Sequence, residues 1–148
     1  LEELEKEKNE YKILAQRTQA DLINSRKRML KEIEEAKNRN IRKNILDFLP
    51  LLDDLELALS SMKEDNGWTE GVRAIQSKFV NTLENLGVSV IDDLKIFDPR
   101  LHDALLVSTD ENRDSGEISR VLRSGYKWQE EVIRPAQVEI INNDSLNK

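Results

Sequence analysis

The sequence contains no cysteine and a single histidine, His102. Disulfide bonds and thiolate metal sites are therefore excluded, and one imidazole alone completes neither a metal-ligand set nor a nucleophile pair. A cysteine-free chain fits a reducing compartment. Aromatic residues make up only 5% of the chain and charged residues 35%, the balance of long solvated helices rather than of a bulky core. No apolar run is long enough to cross a bilayer and no secretory signal is visible, so no membrane partner is expected. The five glycines are scattered and build no phosphate-cradling loop. Paired acids stand at Asp53-Asp54, Asp92-Asp93 and Glu130-Glu131, but adjacent side chains in a helix or strand point apart and cannot share a catalytic site. His102 reads as a structural or surface residue. The chain is accordingly expected not to be an enzyme, and no cofactor or metal is expected.

The net charge of −6 is unevenly spread: residues 1–46 carry 12 Lys and Arg against 9 Asp and Glu, and the remaining 102 carry 11 against 20. Basic residues cluster at Arg26-Lys27-Arg28 and from Lys37 to Lys43, which raises a nucleic-acid reading. Glu32, Glu34 and Glu35 interrupt them, and no aromatic ring is interleaved for base stacking. A solvated helix face is the preferred reading, with no nucleic-acid partner. The chain opens at Leu1 inside a helical pattern and without a methionine, which predicts a fragment of a longer protein.

From Leu1 to about Arg42 there is neither proline nor glycine, and nearly every residue is a strong helix former. Apolar or small residues recur at Leu4, Tyr11, Leu14/Ala15, Thr18, Leu22, Ser25, Met29, Ile33 and Ala36, a single stripe at helical spacing. Tyr11, Leu22 and Ile33 lie eleven apart, a period that predicts nearly straight pairing. Such a helix, roughly 60 Å long, is stable only if its stripe is covered, and a second copy of the chain is the simplest cover. Thr18, Ser25 and Ala36 predict a loose seam, expected to melt before the rest.

Asn38, Asn40 and Asn44 dilute the pattern, predicting a break or bend there. Beyond it Ile45, Phe48/Leu49, Leu52, Leu55, Leu59 and Met62 keep helical spacing with a broader apolar face. Pro50 predicts a kink, or a new helix starting near Asp47. Asp65-Asn66-Gly67 reads as a turn, and Trp68, Val72, Ile75, Phe79, Leu83 and Leu86 as a third helix stopped at Gly87. Two such helical hairpins from two chains would close a four-helix bundle. The expected dimer contacts are Tyr11, Leu22, Met29 and Ile33 on the stalk, with Leu52, Leu55, Leu59, Ile75 and Phe79 in the bundle.

After Gly87 the period shortens. Val88 and Val90, then Ala104–Thr109, Glu117–Leu122 and Val132–Ile141, are β-branched runs separated by turn signals. Pro135 inside the last run predicts an edge position or a bulge. The expected fold is α+β: a dimerising stalk over residues 1–43, a helical hairpin over 44–87, and a small all-β domain over 88–148. The surfaces left for another protein are the exposed half of the stalk and one face of the β-domain.

The residues from Phe97 to Ile140 resemble the C-terminal signature of the GrpE family, the nucleotide exchange factors of Hsp70 (DnaK) chaperones. The resemblance runs through Asp98, Pro99, His102 and Ala104, then Gly116 and Ile118, then Gly125, Tyr126, Arg134, Pro135, Ala136 and Val138. Upstream it includes Leu49, Pro50, Asp53, Leu55, Ala58 and Leu59, then Glu70-Gly71 and Leu86-Gly87-Val88, so that it covers essentially the whole chain. It implies a parallel homodimer whose β-domain binds the Hsp70 nucleotide-binding domain and holds its cleft open, so that ADP leaves. Carried onto this chain, it implies partner contacts at Phe97 and Pro99 in the entry loop, Leu122, and Arg134, whose guanidinium fork suits a carboxylate on an acidic partner. Phe97 also reads as core, and Gly125, Tyr126 and Ala136 as residues that maintain the fold. The family commonly carries a basic residue after the Gly-Tyr turn, where this chain has Glu130-Glu131. A bacterial cytoplasm, or an organelle matrix if a transit peptide has been removed, is the implied location.

Overall fold

The unbroken supply of helix formers does not stop at the asparagines. In the computed structural model, which describes residues 1–147, helix α1 runs continuously over Glu2–Ser61. The expected break near Asn38–Asn44 and the new helix near Asp47 are therefore corrected, because Pro50 lies inside α1. An interior proline costs about 3 kcal/mol. Ile45, Leu49 and Leu52 flank it on both sides and are all buried, and each buried aliphatic side chain returns about 1.5–3 kcal/mol. Pro50 itself is exposed, so its ring is accommodated on the solvent side.

Helix α2 spans Gly67–Asn85. Its N-cap is Asn66, whose side-chain oxygen accepts from the backbone N–H groups of Trp68 at 3.0 Å and Thr69 at 3.2 Å. This is the standard satisfaction of orphan donors at a helix start. At the other end Gly87 takes φ +87° and donates to the Glu84 carbonyl at 2.9 Å, the left-handed stop that glycine makes at no steric cost.

Six strands follow: β1 (Val88–Val90), β2 (His102–Ser108), β3 (Ile118–Arg123), β4 (Tyr126–Trp128), β5 (Glu131–Arg134) and β6 (Ala136–Ile141). They form two three-stranded sheets, ordered β1-β4-β5 and β2-β6-β3. All neighbours are antiparallel except β2 and β6, which run parallel. The long run from Val132 to Ile141 is two strands in two different sheets. Pro135, with no N–H to donate, separates edge strand β5 from β6, the centre of the other sheet. Strand β4 was not expected, since its three residues lie between two turn signals. Ile118, Ala136 and Val138 form a buried cluster against which Leu94, Phe97 and Ile140 pack. The α+β class stands as read, with a long first helix, a second helix and an all-β C-terminal region.

The chain divides into two compact units, Leu1–Lys43 and Asn44–Lys148. In the first, the large apolar residues of the stripe are exposed, Tyr11 at 70%.

In the second, Gly125 stands where β3 hands over to β4. A Cβ there would lie 2.2 Å from the Ala136 nitrogen and 2.7 Å from the Pro135 carbonyl carbon. Both atoms are backbone, so neither can rotate aside. Gly125→Ala should therefore lower the stability of the β-region by about 1–3 kcal/mol, read as a fall in the denaturant midpoint followed by tryptophan fluorescence in a Trp68→Phe background.

Candidate functional site

The segment between β1 and β2 is a loop stapled from below by His102. The His102 Nδ1 accepts the Asp98 backbone N–H at 3.0 Å, and Nε2 lies 2.6 Å from the Asp93 carbonyl oxygen. A backbone N–H can only donate, so Nδ1 is the acceptor and Nε2 carries the proton given to Asp93. The lone histidine is thus structural, buried at 1% exposure, and it fixes both ends of the segment that carries Phe97. Phe97 is half-buried on the Ile118–Ala136–Val138 cluster, its ring centroid 6.1 Å from that of His102. Pro99 is exposed, and so is Ile96, which the sequence reading did not single out. Together with Lys95 and Arg100 they line a shallow hollow. Arg100 chelates Asp98 through Nε at 3.2 Å and Nη2 at 3.0 Å, and those hydrogen bonds hold the Asp98 carboxyl below its ordinary range.

The edges of the second sheet carry further exposed apolar side chains. Leu122 and Val121 on β3 are each 38% exposed. On β2, Leu105, Leu106 and Val107 are all exposed, because the register slips between Ala104 and Leu106 and breaks the alternation. Their exposure was not legible in the sequence, where three successive apolar residues suggest a buried strand.

Arg134 is engaged within the chain. Its Nη1 and Nη2 donate to the two carboxylate oxygens of Asp53, both at 2.7 Å. Nε and Nη2 also donate to the Ser124 carbonyl, at 3.1 Å and 2.6 Å. The guanidinium carbon stands 5.2 Å from the centre of the Tyr126 ring, and the side chain is only 11% exposed. The fork expected to meet an acidic partner is closed on the chain's own acid. Arg123 adds a third bond to Asp53, from Nε at 3.0 Å. One turn along α1, Glu56 accepts from the Ser124 hydroxyl at 3.3 Å. In the sequence Asp53 stands out only as part of a motif; its pairing joins positions 81 residues apart and leaves no local signal.

The electrostatics follow from these contacts. Burial pushes the Asp53 carboxyl up, but the bonds from Arg134 and Arg123 prevail and the net displacement is downward. Glu56 has no arginine hydrogen bond, and burial raises it. Burial, reinforced by the Glu56 charge, lifts the Tyr126 phenol to about 12.

Of the expected dimer residues, Tyr11, Leu22, Met29, Ile33 and Ile75 are exposed, while Leu55, Leu59 and Phe79 are half-buried. Leu52 is fully buried within the single chain, so its side chain is already committed to the fold. Trp68, at the start of α2, is 84% exposed. Among the described residues, no group of three or more His, Cys, Asp or Glu side chains could hold a metal ion. No helix among them is long and apolar enough to cross a membrane.

Two substitutions separate the carboxylates. The Asp53 contribution is present above about pH 4, the unfolded range, and is lost as pH falls through the depressed folded value. Asp53→Asn should therefore lower stability by about 2 kcal/mol at pH 7 and by progressively less below pH 4. Glu56 has the opposite sign: its ionised form is disfavoured in the fold, and that cost sets in as pH rises through the ordinary glutamate value of 4.5. Glu56→Gln should raise the melting temperature at pH 7 and lose that gain at pH 4, as thermal denaturation at the two pH values will read.

Comparison with known proteins converges on one family. The family model described as GrpE matches residues 1–142. A protein named Protein GrpE from a Nitratiruptor species is 32% identical over 149 residues, covering 94% of this chain and 83% of its own length. A Protein GrpE of Helicobacter pylori is 35% identical, covering 86% of this chain and 69% of its own. That of Bacillus pumilus is 37% identical, covering 88% and 72%. With its long helix, second helix and paired β-sheets all inside the matched range, the chain belongs to the GrpE family.

Proposed function

We propose that the chain is a nucleotide exchange factor, a co-chaperone that binds the nucleotide-binding domain of an Hsp70 (DnaK-type) chaperone and accelerates ADP release. The observation that carries this reading is the family match over residues 1–142, which takes in the helices and both sheets. No bond is made or broken in such an activity, so no catalytic residue is required. A partner that prefers the open nucleotide cleft weakens ADP binding by the factor by which ADP weakens the partner. Release of ADP, rebinding of ATP and discharge of the substrate protein follow from that coupling.

The β-region offers the docking surface, through Pro99, Leu122 and the exposed side chains beside them. Phe97 supports the entry loop from beneath, and Arg134 orients the joint behind the surface. The helices make a homodimer: the Tyr11–Leu22–Met29–Ile33 stripe pairs with its copy, and Leu55, Leu59, Ile75 and Phe79 close a four-helix bundle. In this reading residues 1–43 are the stalk, 44–87 the bundle and 88–148 the partner-binding domain. The working location is the bacterial cytoplasm or an organelle matrix, and neither nucleic acid nor membrane is a partner.

Stopped-flow release of a fluorescent ADP from a bacterial-type Hsp70 should be accelerated by the wild-type protein. Leu122→Asp, with folding checked by circular dichroism, should reduce the acceleration at least about tenfold, by placing an unpaired charge in an apolar contact. Equal rates with and without the protein would leave an adaptor that docks on its partner without affecting nucleotide. Sedimentation equilibrium should give a dimer, which Leu22→Lys combined with Ile33→Lys shifts toward monomer, since each buried charge costs several kcal/mol unless paired.

A further inference from the structure

Asp53 and Glu56 lie three apart on α1 and so share one face of that helix. Their hydrogen-bond partners come from three pieces of the β-region, and a fourth supports one of those partners. The partners are Arg123 at the end of β3, Ser124 in the following connection and Arg134 on β5, and Tyr126 on β4 lies beneath the Arg134 guanidinium. A bidentate fork fixes direction as well as distance, because both planes must coincide for the two bonds to form. Here the fork is further pinned by the Ser124 carbonyl, so each of its nitrogens is engaged. A second tie lies at the end of α2, where Trp128 Nε1 donates to the Leu86 carbonyl at 3.1 Å beside Gly87. Two ties on two helices define an angle. With the α1 tie removed, the β-region would be held at the Gly87 connection and could swivel there.

We propose that Asp53 is a positioning residue for nucleotide exchange: closed on Arg134 and Arg123, it fixes the angle at which α1 presents the β-region to the chaperone. This rests on the exchange-factor reading and deepens it. Acceleration depends on the difference in affinity between open and closed clefts, not on affinity as such. A β-region free to swivel meets both cleft states nearly equally well. Its docking side chains are intact, so binding is kept while coupling is lost.

The test uses the full chain, whose lack of cysteine makes site-specific labelling direct. Spin labels on Leu57→Cys of α1 and Leu105→Cys of β2, both exposed positions, report the angle as a distance distribution, with labelled chains diluted in unlabelled ones. Asp53→Asn should broaden that distribution. It should leave the dissociation constant for the ADP-bound Hsp70 nucleotide-binding domain within about threefold, and lower the saturating rate of ADP release about tenfold, the scale of a small misplacement. Arg123→Gln, at the more exposed arm of the same joint, should show the same split in milder form and carries the test if Asp53→Asn does not fold. A narrow, unchanged distribution would overturn the proposal, as would a loss confined to affinity with the saturating rate intact. Wild-type protein that gives no acceleration would instead overturn the exchange-factor reading itself.

Discussion

The Asp53 carboxylate, shared between two guanidinium groups, is the interaction on which the 44–147 region turns. Three donors converge on it, and one of the arginines is nearly buried. Charges withdrawn from water are tolerable only when their hydrogen-bonding capacity is filled, and here the filling is contributed by backbone as well as side chains. Arg134 reaches Ser124 only because the chain can reverse tightly at Gly125 over Pro135 and Ala136. The glycine, the carbonyl, the fork and the helix face therefore form one chain of contacts, each fixed by its neighbour.

That chain of contacts also explains how two small sheets behave as one body. Pro135 ends β5 because it cannot supply a ladder donor, and the strand that resumes at Ala136 becomes the centre of the other sheet. The crossing point thus lies against Gly125, one residue from the Ser124 carbonyl that Arg134 binds. On the far side, His102 holds the β1–β2 loop by satisfying a donor at Asp98 and an acceptor at Asp93. Loop, crossing and joint are each stabilised by a polar group with its partners filled, around an apolar cluster built on three buried side chains, Ile118, Ala136 and Val138.

What the sequence disclosed was what depends on local period. The helical stripe through Tyr11, Leu22 and Ile33, the turn at Asp65-Asn66-Gly67 and the stop at Gly87 are all written in neighbouring residues. The continuity of α1 through Pro50 was not, because a proline's local cost is offset by the burial of Ile45, Leu49 and Leu52, a tertiary effect. Strand β4 escaped for a related reason. Tyr126–Trp128 is too short to show alternation, and it is made a strand by pairing with Val88–Val90 and Glu131–Arg134. The turn after it takes positive φ at Gln129 and Glu130, where asparagine or glycine would signal a tight hairpin. Arg134 stands in the family pattern, but nothing in a linear pattern gives the address of the carboxylate it pairs with.

The fate of Arg134 bears on how this protein meets another. The residue with the most directional recognition chemistry is turned inward, whereas the side chains left in water on the β-region include many simple apolar ones: Ile96, Pro99, Leu105, Leu106, Val107, Val121 and Leu122. Apolar contact is non-directional and roughly proportional to area, so it gives affinity without dictating orientation. A protein that acts by preferring one conformation of its partner needs orientation as well. In the proposed mechanism that requirement is met behind the contact surface, by a buried ionic joint that aims an apolar face. Two tasks are thus separated in that mechanism: the surface sets how tightly the partner is held, and the joint sets which shape of the partner is held.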